Sequence, residues 1–415
     1  MAVSEHEDAG TDDDGFVART LASLRSRNFR LFFIGQTVSN TGNWLTMVAI
    51  TLLVLQRTGS GVAVGVLSAC QFGPFLLLSA WAGVVVDRHD KLRLLTTTQL
   101  LEMGQSILLA VLAFLPSSPI GAFYVVAAIG GCLLAVDNPV RRTFVNEMVP
   151  VEDRPNAVSL YTAMVNLSRI GGPALAGVLV VTVGYGWAFT VDAVSYGAVL
   201  VALSMMRRSE LRVTPAVPRE RGQVREGLRY VSHVPELWIS LLMLVIIGTA
   251  SYNFTVVFPL FVEQGLGASA AAYSVVYSVF SVGALVGALA VARRRTVGIR
   301  TAVAGAAWMG VTMLAMAAVP NLAWAAAAAA LVGAASVAFT TAAMAIGQVR
   351  AEEHMVGRVL ALQSVVIVGT TPIGGPILGA ISDQVGPRAP LVLGGVAALG
   401  AAVFGLVAGR RLPAG

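Results

Sequence analysis

Four ionisable side chains interrupt stretches of sequence that are otherwise almost free of charge: Glu102, Asp137, Arg169 and Asp192. A charge inside hydrocarbon is costly, so such residues persist where they pair, meet a substrate or carry a proton. A carboxylate can take up and release a proton, whereas a guanidinium keeps its charge and needs a carboxylate, a substrate anion or water beside it. Counting 1.5 Å per helical residue, Arg169 lies roughly 20 Å from the start of its helix, near mid-membrane, and Asp137 roughly 9 Å from the end of its own. Asp137 is the candidate to bind and release a coupling proton with Arg169 modulating its affinity, a pairing that needs their two helices to be neighbours, and the depth gap of roughly 10 Å strains direct contact. The alternative is a static ion pair that only locks helices. Glu102, with Gln99 and Gln105 three residues to either side, and Asp192 are expected to be hydrogen-bonded structural groups. No nucleophile–base arrangement, metal-ligand spacing or phosphate-binding loop occurs, which argues against an enzyme, a metal site or a cofactor. Cys70 and Cys132 both fall within apolar runs and are expected to be small buried residues, with no disulfide framework. The histidines, His6, His89, His233 and His354, fall in loops or tails.

The elements that carry these charges follow from composition. Of the 415 residues, 56% are hydrophobic and only 12% charged, and the mean hydropathy is +0.77. A soluble domain would carry about a quarter charged residues. Here charges cluster in short segments, and the runs between them reach the roughly 20 apolar residues needed to cross a bilayer. Those runs predict helices over 29–56, 61–86, 94–115, 119–142, 156–183 and 186–206, then over 237–262, 268–292, 299–319, 321–349, 356–382 and 389–409. The expected fold is all-α, twelve transmembrane helices in two pseudo-symmetric six-helix bundles, over 28–206 and 236–415. The polar segment 207–235 is the expected linker, and 1–27 a disordered tail whose first fifteen residues are acidic and lack the apolar core of a signal peptide. The net charge of +6 does not indicate nucleic acid, because the basic residues sit at helix ends rather than on one surface.

Lys and Arg are retained on the cytoplasmic side of short loops. With an inside N-terminus that side collects Arg19, Arg25, Arg27 and Arg30, then Arg88, Lys91 and Arg93, then Arg141, Arg142 and Arg154. It also collects the arginines of the linker, those at 293–300, Arg350, Arg358, Arg410 and Arg411. Of all 28 basic residues only Arg57, Arg388 and the intramembrane Arg169 fall elsewhere. Both termini are therefore expected in the cytoplasm. The halves also echo each other: Gly171-Gly172-Pro173 recurs as Gly374-Gly375-Pro376, Gly83 as Gly287, and Glu152-Asp153 as Glu352-Glu353, at offsets of 200 to 204 residues. Parallel repeats of this kind flank a central site in many transporters.

The loop after the second helix reads Gly83-Val-Val-Val-Asp87-Arg88-His-Asp90-Lys91-Leu-Arg93. It resembles the signature loop of the major facilitator superfamily: a glycine, three residues, then Asp-Arg and a basic cluster. Asp90 stands where the family usually has a second glycine. The resemblance implies that Gly83 allows close helix approach, that Asp87 pairs with Arg141 or Arg142, and that Arg88, Lys91 and Arg93 hold the loop at the cytoplasmic face as a gate. Asn166-Leu-Ser-Arg169-Ile-Gly-Gly172-Pro173 resembles, in looser form, the glycine–proline signature of the superfamily's drug:proton antiporters. Proline and glycine there, and at Gly375 and Pro376, predict kinks; a purely structural bend shared by both halves is the alternative. Gly35-Gln36-Thr-Val-Ser39-Asn40-Thr-Gly42, Asp137-Asn138-Pro139 and Phe189-Thr-Val-Asp192-Ala-Val-Ser195 are similar to the branch called transmembrane secretion effectors, which includes siderophore and macrolide exporters. The resemblance runs from about residue 27 to 410.

Gln36, Asn40, Asn43 and Trp44 repeat at three- and four-residue spacing and form a polar stripe on the first helix. Gln71, Asn166, Tyr252, Asn253 and Gln363 add isolated polar points that could line a cavity, or serve only as helix–helix hydrogen bonds. So lightly charged a lining suits a moderately hydrophobic organic molecule. The expected function is proton-coupled export of such a compound (drug, antibiotic, siderophore or other natural product) by alternating access in a bacterial cytoplasmic membrane. The expected partners are protons, the small-molecule substrate and membrane lipids, with no nucleic acid, for a chain acting as a monomer. Uptake of a nutrient and, further off, a lipid translocase or membrane enzyme are the alternatives.

Overall fold

A computed structural model of the chain describes residues 21–212, 223–293 and 297–410. The expected tail up to residue 20, with Arg19, and Arg219, Arg221, Arg294, Arg295 and Arg411 lie outside the described residues. Twelve described helices are long and apolar enough to cross a membrane. They are α1 (Arg27–Thr58), α2 (Gly61–Arg88), α3 (Lys91–Phe114), α4 (Ile120–Phe144), α5 (Arg154–Thr182) and α6 (Tyr185–Ser204). Then come α7 (Pro235–Gly265), α8 (Ala270–Ala292), α9 (Ile299–Ala318), α10 (Leu322–Arg350), α11 (Val356–Val385) and α12 (Ala389–Gly409). A short amphipathic linker helix, Gln223–His233, precedes α7.

Local chemistry sets the ends. Ser60, Asp90, Ser269 and Asn321 each accept a hydrogen bond from a first-turn backbone N–H, as helix N-caps should. Asp90, the departure from the family loop, is thus the cap of α3. Gly59 closes α1 in the left-handed region at φ 63°, a conformation that costs a glycine nothing.

Packing repeats between the halves. In the first, α1 packs on α5 and α6, α2 on α4, and α3 on α4 and α6; in the second, α7 packs on α11 and α12, α8 on α10, and α9 on α10 and α12. The halves join along two symmetry-related seams, α5 with α8 and α11 with α2. Small residues make the close approaches. Gly283 and Gly287 of α8 lie against the backbone of Ala330 and Ala334 of α10, the small-xxx-small contact through which apolar helices associate without a hydrophobic driving force. Leu77, Leu167, Val194 and Val349 are exposed, an apolar surface that hydrocarbon would cover. Trp187 and Trp324, exposed near the starts of α6 and α10, stand at the height where indoles favour a bilayer interface.

Two helices expected to be continuous are broken. α7 stops at Ala250 and resumes at Phe254. It then passes into a π-helical stretch, Leu260–Gly265, directly after Pro259, which cannot donate the next backbone bond. Asn253 repairs the gap, its Nδ2 donating to the carbonyls of Gly248 at 3.3 Å and Thr249 at 3.0 Å. α11 breaks at Thr370, between Val356–Gly369 and Thr371–Val385. The expected kink at Gly375 and Pro376 therefore falls a turn too late, because Pro372 already removes a backbone donor. Across the α11–α2 seam, a Cβ on Gly65 would lie 2.6 Å from Pro376 Cα, so Gly375 and Pro376 serve helix contact between the halves. Gly172 of α5 serves contact within its own half instead. Its face lies against Trp44 and the Thr41 carbonyl of α1, while α5 itself runs unbroken through Pro173.

Candidate transport site

Asp137 and Arg141 stand four residues apart on α4, on one face, and that face turns toward α1 and α3. The two form a buried ion pair through Arg141 Nε. Arg141 Nη2 reaches Glu102 Oε2 of α3 at 3.1 Å, and Nη1 donates to Gln36 Oε1 at 2.8 Å and Asn40 Oδ1 at 2.9 Å, both on α1. Asp137 Oδ1 accepts from Thr98 Oγ1 at 2.8 Å and Gln99 Nε2 at 2.9 Å, and Gln99 Nε2 also reaches Glu102 Oε2 at 2.9 Å. One guanidinium thus serves two carboxylates within a shell of amides and a hydroxyl, all buried.

The expected pairing of Asp137 with Arg169 is corrected by this geometry. The chief packing partners of α4 are α2 and α3, whereas α5 packs on α1 and α8, and Asp137 is taken by the arginine one turn along its own helix. Arg141 is likewise not the loop anchor proposed for Asp87, since its side chain turns inward and is consumed by the cluster. Glu102 is more than the hydrogen-bonded structural group expected, because α3 delivers it to the shared guanidinium. Gln36 and Asn40 belong to this cluster rather than to an open cavity wall.

Asp192 sits higher in the same half. Its Oδ2 accepts from Thr46 Oγ1 of α1 and Ser106 Oγ of α3, each at 2.7 Å. Gly42 packs directly on this carboxylate and on Ser195. Arg169 lies on the other side of α1, its guanidinium carbon 5.7 Å from the ring centroid of Trp44 and 5.6 Å from that of Phe280. No carboxylate lies within ion-pair distance of it among the described residues. Tyr277 stacks obliquely on Trp44, with centroids 6.3 Å apart, and adjoins Phe258 and Phe280.

The loop after α2 is an organised surface element. Gly83 is buried in α2, Asp87 half-buried, and Arg88, Arg93 and Arg142 exposed. Lys91 Nζ pairs with Glu147 Oε1 at 2.6 Å, tying the start of α3 to the end of α4. Of the remaining polar points, Tyr252 bonds to Ser336 and Thr340 of α10, and Gln363 donates to Ala343 O at 2.9 Å. Asn166 donates back to Thr162 O of its own helix. Asn43, Trp44 and Gln71 are half-buried. Cys70 is half-buried and Cys132 exposed, so neither is the fully buried residue expected. Sequence reasoning missed Thr98, Thr46, Ser106, Tyr277 and Phe280, which look in the sequence like any other helical hydroxyl or aromatic. The i, i+4 spacing of Asp137 and Arg141 was the signal for the cluster.

Twelve apolar helices in two matching halves, with a charged cluster buried inside the first, have the architecture of the major facilitator fold. The chain belongs to the family of transmembrane secretion effectors, whose pattern matches residues 18–414. It is similar to the staphyloferrin A transporter of Staphylococcus aureus, with 26% identity over 63% of this chain and 66% of that protein. The multidrug efflux pump Tap of Mycolicibacterium fortuitum is 27% identical over 89% of this chain and 94% of its own length. Thus the chain spans just under two thirds of the first of these relatives and nearly all of the second. In fold it resembles a peptide transporter crystallised with sulfate, with a TM-score of 0.75 at 12% identity over 93% of this chain and 95% of that one. The chain is a multi-pass membrane protein of this family.

Proposed function

We propose that this transporter is a proton-coupled exporter of a small, moderately hydrophobic organic molecule, working by alternating access in the bacterial cytoplasmic membrane as a monomer with both termini inside. The observation that carries the reading is the cluster of Glu102, Asp137 and Arg141. Two buried carboxylates share one guanidinium, so the fully ionised cluster holds one negative charge in excess, and one added proton makes it neutral. A neutral cluster is far less costly to bury than a charged one. Proton uptake and release there changes the hydrogen bonds between α1, α3 and α4. In this reading Asp192, satisfied by two hydroxyls, is a fixed structural group, and the loop from Gly83 to Arg93, with Arg142, remains the cytoplasmic gate. The likeness to a multidrug efflux pump and a siderophore transporter supports export, and the thinly charged helix faces support an apolar substrate.

The test uses everted membrane vesicles with an imposed proton gradient and a panel of lipophilic dyes and macrolides. The wild-type chain should accumulate at least one panel member, and an uncoupler should abolish this. Asp137→Asn, inserted at normal levels, should fall to background. Gradient-driven accumulation by Asp137→Asn and Glu102→Gln at the wild-type rate would exclude the cluster as the coupling site.

A further inference from the structure

Arg169 is the intramembrane charge that the cluster leaves unexplained. It lies about 22 Å into α5, near mid-membrane by the helical rise. Its Nε is buried and has no hydrogen-bond acceptor among the described residues, while the side chain as a whole is only half-buried. Every nearby candidate anion is already engaged: Asp137 and Glu102 by Arg141, and Asp192 by Thr46 and Ser106. What surrounds the guanidinium is aromatic. Trp44 of α1 and Phe280 of α8 each present a ring to it, and the Tyr277 hydroxyl of α8 faces the same group.

The position is as informative as the chemistry. Trp44 and Arg169 belong to the first half and Tyr277 and Phe280 to the second, so the cage straddles the α5–α8 seam. That seam is held here by the bond from Ser278 Oγ to Ile170 O at 3.0 Å. A ligand seated between these groups touches both halves at once.

We propose that Arg169, Trp44, Tyr277 and Phe280 form a receptor for an organic anion, an aromatic or flat apolar body bearing a carboxylate. The guanidinium fork matches a carboxylate in two parallel hydrogen bonds. The flanking rings take the flat body, and the desolvated surroundings strengthen the charge contact. Exchanging ring contacts for a carboxylate gives the guanidinium the anionic partner it lacks among the described residues. The proposal deepens the export reading by naming the substrate class, and it rests on the α5–α8 seam being part of the transport path.

The experiment measures equilibrium binding of 2-naphthoate and of its neutral isostere 2-naphthamide to the purified full-length chain in lipid nanodiscs, with no proton gradient. Wild-type protein should bind the acid at least tenfold more tightly than the amide. Arg169→Gln should erase that preference, Arg169→Lys should keep part of it, and Trp44→Leu should weaken both compounds. Equal binding of acid and amide by the wild type, binding of neither, or an intact preference in Arg169→Gln would each overturn the proposal. The wild-type comparison decides the matter even should a variant fold poorly. Because no gradient is present, failure here leaves proton coupling standing, and failure of coupling in vesicles leaves this binding untouched.

Discussion

At the scale of single residues, the first half is built around one arginine. Arg141 pairs with Asp137 and Glu102 and donates its remaining hydrogen bonds to the amide oxygens of Gln36 and Asn40. Removing the cation while leaving both acids strands buried negative charge, a change that costs about 3–5 kcal/mol in comparable buried pairs. Arg141→Leu should therefore lower the melting temperature of the purified protein markedly. The triple change Arg141→Leu, Glu102→Gln and Asp137→Asn should recover most of the loss, because no unpaired charge remains. Melting curves in detergent read both outcomes, and a single variant as stable as wild type would show that Arg141 does not carry the cluster. A second residue-scale expectation concerns Gly42, whose missing side chain makes room for the Asp192 carboxylate and Ser195. Gly42→Val should separate α1 from α6 and reduce the folded yield, whereas Gly400→Ala on α12, where an added Cβ meets open space, should be neutral.

At the scale of elements, helices α8 and α10 approach backbone to backbone through Gly283, Gly287, Ala330 and Ala334. Gly287→Leu should disrupt the second half alone, which limited proteolysis would register as faster cleavage after residue 235 than before 206. Cleavage spread evenly over both halves would contradict this. Twelve spans and their six-plus-six grouping were legible in the sequence, because a bilayer demands long apolar runs and bounds them with charge. Glu102, Asp137, Arg169 and Asp192 were equally plain as charges interrupting those apolar runs. Their partners were not. Hydropathy gives the depth of Asp137 but not the direction it faces, and that direction decides between Arg141 and Arg169. Arg141 itself reads as one more basic residue at a helix end until α1 and α3 are brought against it. The breaks in α7 and α11 were missed for a different reason. Pro372 is visible, yet whether a proline bends, breaks or merely decorates a membrane helix depends on its neighbours, and the gap in α7 at residues 251–253 holds no proline at all, with Asn253 bonding the carbonyls freed there.

At the scale of the whole molecule, the two seams between halves are closed toward the ends that carry few basic residues. The Asp383 carboxylate near the end of α11 accepts from Ser60 Oγ at 2.7 Å and from the backbone N–H groups of Gly61 at 2.6 Å and Val62 at 3.0 Å. It thereby caps α2 from the opposite half, where a negative charge also meets the positive end of the helix dipole. Gln264 Nε2 adds a bond to Gly59 O at 3.0 Å. Asp383→Ala should release this latch and shift the population toward the state open on that face. Spin labels on α2 and α11 near residues 62 and 380, in a chain with Cys70 and Cys132 replaced, should then report a longer mean distance; an unchanged distance would rule the latch out. Opening and closing of these seams gains direction only if a proton binds in one state and leaves in the other, and the central claim is that it does so at the carboxylates sharing Arg141. Difference infrared spectroscopy of the purified protein across a pH step tests this most directly, since a buried carboxyl gains a resolved C=O band when it takes up a proton. The wild-type chain should show such a band, and Glu102→Gln combined with Asp137→Asn should abolish it; the same band persisting in the double variant would contradict the account.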